Sequence, residues 1–293
     1  MSISPLVTAD WLADQLHDPN IRVLDIRGFV TTRATEPGVE VATYRGAPEE
    51  YAAGHIPGAL FVDWTTDIVD LDDPVTAQLA RPDDFARAMS ERGVGDATHV
   101  IAVDHLGGQF ATRLWWALRA YGPESVSVLD GGWNHWVDED RPNTAEPTIV
   151  TSATFTPRFQ PGWRLEAAEV VARIGDERTQ ILDARDAGQY NAEKRRGPRG
   201  GRIPGAVHIP RELFFAERGG FKPLDQIRDL IAGLGLDPAQ PTVAYCNGGV
   251  AATVILFHLD RLGFNAIGNY DGSWNEWSGR LDLPTECRPD ESK

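Results

Sequence analysis

Only two cysteines, Cys246 and Cys287, occur in 293 residues, too few for a disulfide framework in a chain this size and without zinc-ligand spacing. Positive charge is also scarce: 28 Lys and Arg stand against 43 Asp and Glu, a formal charge of −15. That balance argues against a general nucleic-acid or anionic-membrane surface, and any anionic substrate needs a local positive site. No apolar run approaches the roughly 18 residues of a membrane span, and Met1 to Asp10 lacks the basic and apolar segments of a secretory signal. The expectation is a cytosolic (cytoplasmic), soluble protein in a reducing compartment. His-Glu-x-x-His, paired Cys-x-x-Cys, Gly-x-x-x-x-Gly-Lys and Gly-x-Gly-x-x-Gly patterns do not occur, so no metal and no cofactor is implied.

What the chain does contain is a repeat. Val23-Leu-Asp-Ile-Arg27 answers Ile181-Leu-Asp-Ala-Arg185, Gly54-His-Ile-Pro-Gly-Ala59 answers Gly201-Arg-Ile-Pro-Gly-Ala206, and Asp130-Gly-Gly-Trp-Asn-His-Trp136 answers Asp271-Gly-Ser-Trp-Asn-Glu-Trp277. Three landmarks in one order indicate a duplicated domain. In each half, short apolar runs such as Val100–Val103 and Thr242–Tyr245 alternate with helical patterns such as Asp83–Arg92 and Leu224–Leu234. This predicts an α/β fold, a mostly parallel sheet with helices on both faces. The proline-bearing, aperiodic stretch 141–161 reads as a linker, with domains over 1–140 and 162–293.

The segment Cys246-Asn-Gly-Gly-Val-Ala-Ala-Thr253 sets one thiol between a predicted strand and a predicted helix over Ala251–Leu262. Two glycines allow the turn to aim backbone N–H groups at an anion, and the positive end of the helix macrodipole favours a thiolate there. The alternative is a small core residue at a strand end. Aligning Gly107-Gly108 with Gly248-Gly249 sets His105 opposite Cys246, so only the second half carries the thiol.

Taken together, the Leu-Asp-x-Arg strands, both Gly-x-Ile-Pro-Gly-Ala segments, the Cys-x-x-Gly-Val loop and both Asp-Gly-x-Trp-x-x-Trp stretches resemble the tandem-domain rhodanese family of sulfurtransferases over nearly the whole chain. The resemblance implies two rhodanese-like domains, the first lacking the nucleophile and closing one side of a cleft. It implies that Cys246 attacks the outer sulfur of a small anionic donor, holds it as a persulfide, and passes it to a thiol or cyanide. The amides of Asn247, Gly248, Gly249, Val250 and Ala251 would cradle the charge, and Arg185 matches a family arginine that binds the donor anion, the alternative being a surface arginine paired with Asp183 or Asp186. Where the family commonly has a second arginine, this chain has Gln189, and the basic run Lys194–Arg202 is the candidate replacement.

The loop matches neither common family pattern. Thiosulfate-using members typically carry Cys-Arg-Lys-Gly-Val-Thr and mercaptopyruvate-using members Cys-Gly-Ser-Gly-Val-Thr, while the aspartate and histidine that the latter draw from the first domain align with Thr65 and Ala77. Thiosulfate or another sulfane-sulfur donor is favoured, because its reaction needs no proton on an enolate leaving group. The alternatives are 3-mercaptopyruvate and, from another class, a persulfide carrier or sulfur-sensing module loaded by a protein partner. A Cys-x5-Arg phosphatase is disfavoured, since Ala252 stands where the arginine belongs. Cys287 reads as an exposed thiol.

Overall fold

A computed structural model describes residues 3–217 and 219–287; the outermost parts of the two expected domain spans, 1–2 and 288–293, lie outside it. Twelve strands occur among the described residues. The first half contributes β1 (Leu6–Val7), β2 (Ile21–Asp25), β3 (Gly28–Glu36), β4 (Val39–Gly46), β5 (Leu60–Phe61), β6 (His99–Val103) and β7 (Val126–Leu129). The second contributes β8 (Arg164–Leu165), β9 (Gln180–Asp183), β10 (Val207–His208), β11 (Thr242–Tyr245) and β12 (Ile267–Tyr270).

Two parallel five-stranded sheets result, ordered β1-β7-β6-β2-β5 and β10-β9-β11-β12-β8. Read from the other edge, the second order repeats the first strand for strand, as the duplication predicts. The central strands β6 and β11 are apolar and almost wholly buried, as strands covered on both faces must be. Helix starts follow local chemistry: Thr8 accepts the Trp11 N–H at 3.2 Å before Ala9–Gln15, and Pro82, Asp83 and Asp84 open Pro82–Glu91.

One core is shared by the halves, and each half keeps a second core on its outer face. The shared core forms where the helix Gln109–Ala120 packs on the helix Ala252–Arg261, with Trp115 against Phe257 at 5.2 Å and the Thr112 and Thr253 hydroxyls 2.9 Å apart. Ala252 through Leu259 are all buried, which explains why that segment is apolar around its circumference.

The first half also carries an antiparallel hairpin, β3 with β4, absent from the repeat pattern. Pro37 and Gly38 make its turn, with Gly38 at φ +73°. The hairpin leans on the second half: Glu40 N donates to Arg195 O at 2.9 Å and Arg195 N to Gly38 O at 2.8 Å.

His258 is buried among Phe214, Phe221 and Phe257, and its Nε2 has no hydrogen-bond partner among the described residues. Burial, and then the charge of Arg261, hold its pKa well below the ordinary histidine value. Below about pH 6.5 the unfolded chain therefore binds a proton that the folded chain refuses, and stability falls as pH falls. Urea denaturation at pH 7.5 and pH 5.5 checks this: His258→Leu should lose less stability between the two than the parent does.

Candidate functional site

Cys246 follows β11 directly, at the carboxyl end of the second sheet, where open α/β sheets place ligands. Its loop is pinned from behind. The Ser273 hydroxyl accepts the Cys246 N–H at 3.1 Å and the Gly249 N–H at 3.0 Å, and donates to Tyr270 O at 2.7 Å. The Cys246 carbonyl accepts from Trp274 N at 3.0 Å and the Asn247 carbonyl from Asn275 N at 2.8 Å. The Gly249 carbonyl accepts from Asn269 Nδ2 at 2.8 Å and Arg113 Nη1 at 3.2 Å. Gly249 itself has φ +69°, and a Cβ there would meet Asp271 O at 2.8 Å, so only glycine fits.

With those carbonyls drawn outward, the amides of Asn247, Gly248, Val250 and Ala251 take no protein acceptor among the described residues. The Gly249 amide differs from the expectation: Ser273 holds it, so Gly249 shapes the loop and does not line the cavity. The cavity has a volume of about 150 Å³ and is walled by Cys246, Asn247, Gly248, Val250 and Ala251 from the loop. That is smaller than a drug-sized pocket. Cys246 is only 3% exposed.

The arginines are arranged differently from the sequence expectation. Arg185 lies on the cavity wall, but its Nε and Nη2 engage Asp183, Nη2 also donates to Gly201 O at 2.7 Å, and its guanidinium lies over Trp274 at 4.2 Å. Nη1 is the edge without a protein partner among the described residues. Arg27 repeats the arrangement in the first half, pairing with Asp25, donating to Gly54 O at 2.7 Å and lying over Trp133 at 4.5 Å. The Asp-x-Arg signature thus serves the fold in both copies.

The basic run Lys194–Arg202 is dispersed. Arg199 donates to the carbonyls of Trp277, Ser278, Arg280 and Leu283, Arg202 pairs with Glu286, and Lys194 pairs with Glu40 at 3.4 Å. Of that run Arg196 alone reaches the cavity, and it is shared with Glu40 at 3.6 Å and with the Thr32 hydroxyl at 2.7 Å. Arg211, also on the wall, pairs with Glu212 at 3.0 Å.

The first half contributes Val30, Thr32 and Tyr44 on the hairpin, with Ala77 and Gln109, while Ala184, Asp186, Gln189 and Glu212 complete the wall from the second. The hairpin residues were not anticipated, although two β-prone runs on either side of Pro37-Gly38 are a hairpin signal. Of the two residues aligned with a proton relay, Ala77 faces the loop and Thr65 donates its hydroxyl hydrogen to Asp63 at 2.6 Å, outside the cavity.

The first half's own loop corrects the alignment. Asp25 pairs with Val103 as Asp183 pairs with Tyr245, and Trp133 N donates to Asp104 O as Trp274 N donates to Cys246 O. Asp104, not His105, therefore stands opposite Cys246, and Gly107 (φ +71°) matches Gly249. The paired glycines misled because the true match is one residue along. The Asp104 carboxylate accepts N–H groups from Leu106, Gly107, Gly108, Phe110 and Ala111 at 2.6 to 3.0 Å. A built-in anion fills the first half's cradle.

The rhodanese-like domain family matches residues 8–139 and 166–280. The chain is 36% identical to the 3-mercaptopyruvate sulfurtransferase of Escherichia coli (strain K12), over 98% of this chain and 99% of that one. It is 33% identical to the thiosulfate sulfurtransferase of Gallus gallus, over 94% and 93%. The crystal structure of SseA from Escherichia coli superposes with a TM-score of 0.81 at 34% identity, covering 93% of this chain and 99% of that one.

Asp104→Ala would leave five N–H groups without their acceptor. Each buried donor so exposed costs about 1–3 kcal/mol, less where water reaches it. Urea denaturation should show a loss of about 3 kcal/mol or more, while Asp104→Asn, which keeps one acceptor oxygen, loses less.

Proposed function

The chain belongs to the rhodanese-like family and is a sulfurtransferase, and we propose that Cys246 is its nucleophile, cradled by the amides of Asn247, Gly248, Val250 and Ala251. The observation that carries this reading is the pinned loop, whose carbonyls are turned outward and whose amides are left without protein acceptors around a shielded thiol. The Cys246 thiolate attacks the outer sulfur of the donor. In thiosulfate the S–S bond breaks, sulfite departs with the electron pair, and Cys246 keeps the sulfur as a persulfide. A thiol or cyanide then attacks the terminal sulfur and the Cys246 thiolate leaves.

The proposed donor is thiosulfate or a similar small sulfane-sulfur anion. The cavity of about 150 Å³ suits a donor of few atoms. Arg185 through Nη1, Arg196 and Arg211 provide local positive charge in a chain of net charge −15. Each of these cations also has a carboxylate partner, which favours 3-mercaptopyruvate, a monoanion at its carboxylate, as a second reading. The Escherichia coli relative carries that donor's name. The proposed setting is the cytosol; both cysteines are free, and no helix among the described residues is long and apolar enough to cross a membrane.

Intact-mass analysis of reduced protein after separate exposure to thiosulfate and 3-mercaptopyruvate is the test. One added sulfur is expected on the parent and on Cys287→Ala, and none on Cys246→Ala. The donor that loads faster identifies the substrate class. If the folded parent gains no sulfur from either, the small-donor reading is wrong, and a protein persulfide partner becomes the donor to try.

A further inference from the structure

The hairpin that roofs the cavity brings one group whose chemistry the reaction above does not use. Val30 and Tyr44 are Cα partners across the ladder and Thr32 pairs with Ala42, so the strand period of two turns Val30, Thr32 and Tyr44 to one face. That face forms the cavity wall opposite the Cys246 loop. Thr31 and Thr43, one residue out of phase, are exposed on the other. The Tyr44 ring is held edge-on to Trp64 at 5.5 Å, and Trp64 Nε1 donates to Arg45 O at 3.0 Å. The hairpin end is fastened to Arg195 by two backbone hydrogen bonds. Tyr44 therefore has a defined position on the wall of the cavity that Cys246 also lines.

The cationic side chains around the cavity are each paired, with Arg185 Nη1 left as an open edge. Arg185 holds Asp183, Arg196 holds Glu40 and Thr32, Arg211 holds Glu212, and Gln189 Nε2 donates to Asp186 at 2.7 Å. Tyr44 has no carboxylate partner among the described residues. Its hydroxyl lies near the Asn275 side chain and makes no hydrogen bond among the described residues. Burial raises the Tyr44 pKa, with Asn275 and Arg196 offsetting only part of the rise, so the group stays protonated at neutral pH.

We propose that Tyr44 is a catalytic residue: its hydroxyl donates a hydrogen bond to the terminal sulfur of the Cys246 persulfide, so that the first half stabilises the loaded state of the second. The assignment rests on Cys246 as the nucleophile. It applies to either donor, because both leave the same persulfide. No bond is made or broken at Tyr44. When sulfite or an acceptor takes the terminal sulfur, the hydrogen bond is released and the proton stays on the phenol.

The test is the equilibrium between loaded and unloaded enzyme. Protein loaded with thiosulfate is titrated with sulfite, which takes the sulfur back as thiosulfate, and intact mass gives the sulfite concentration that strips half of it. Tyr44→Phe keeps the ring against Trp64 and removes the donor. Its midpoint should fall about tenfold to a hundredfold, the range for a hydrogen bond to a charged group. Thr43→Val, on the outer face, should match the parent. Tyr44→Gln, which retains a donor, against Tyr44→Leu, which does not, repeats the comparison without the ring should Tyr44→Phe fold poorly. Midpoints for Phe and for Leu within twofold of their donor-bearing counterparts overturn the role of Tyr44 alone. A parent that never loads Cys246 overturns the nucleophile and this inference together.

Discussion

The buried ion pair between Arg113 and Asp271 is the contact through which the site depends on both halves. Arg113 Nη1 lies 2.6 Å from Asp271 Oδ1, with both side chains 1% exposed. The pair is closed by its neighbours. Arg113 also donates to Ala77 O at 2.7 Å and to the Gly249 carbonyl at 3.2 Å, and its guanidinium lies over Trp116 at 4.3 Å. Asp271 Oδ2 accepts the Leu79 N–H at 2.7 Å. Removing one partner of such a pair leaves a bare buried charge, a loss of about 3–5 kcal/mol. Because Gly249 is one of the partners, the orientation of the cysteine loop is set partly by a helix of the other half. This is a physical reason for a half without a thiol to persist.

The duplicated frame also explains where the cleft is roofed. After Asp25-Ile-Arg27 the chain makes the β3–β4 hairpin, and after the matching Asp183-Ala-Arg185 it makes the basic segment 194–202. The two insertions arise at corresponding places and meet, with Gly38 and Glu40 bonded to Arg195. Glu40 takes up much of the positive charge of Lys194 and Arg196. A run that reads as an anion attractor in the sequence is largely a clasp between domains.

The sequence made the fold legible because its repeated landmarks mark recurring backbone tasks: a strand-end ion pair, a proline turn and a tryptophan helix. The cysteine loop was equally legible, since a thiol, two glycines and an apolar helix are adjacent in the chain. Four residues were not. Arg185 reads as an anion binder because it matches the family arginine, and no pattern shows that its guanidinium spends Nε and Nη2 on Asp183 and leaves only Nη1 toward the cavity. His105 looked like the counterpart of Cys246 because glycine pairs were matched by identity, whereas the backbone matches Gly107 to Gly249 by their shared positive φ. Tyr44 and Arg113 carry no signal in the sequence because each meets the cysteine loop or its cavity across more than 130 residues of chain, a relation that only the packed structure reveals.

The carboxylate of Asp104 gives the two cradles different histories within each molecule. The first loop carries its anion as part of the polypeptide, so it can close during folding and remain closed. The second loop has no such carboxylate, and in the proposed reaction its anion comes from outside, as sulfur bound and then surrendered. The duplicated chain thus pairs a copy whose anion is covalently its own with a copy whose loop amides stay open to a guest.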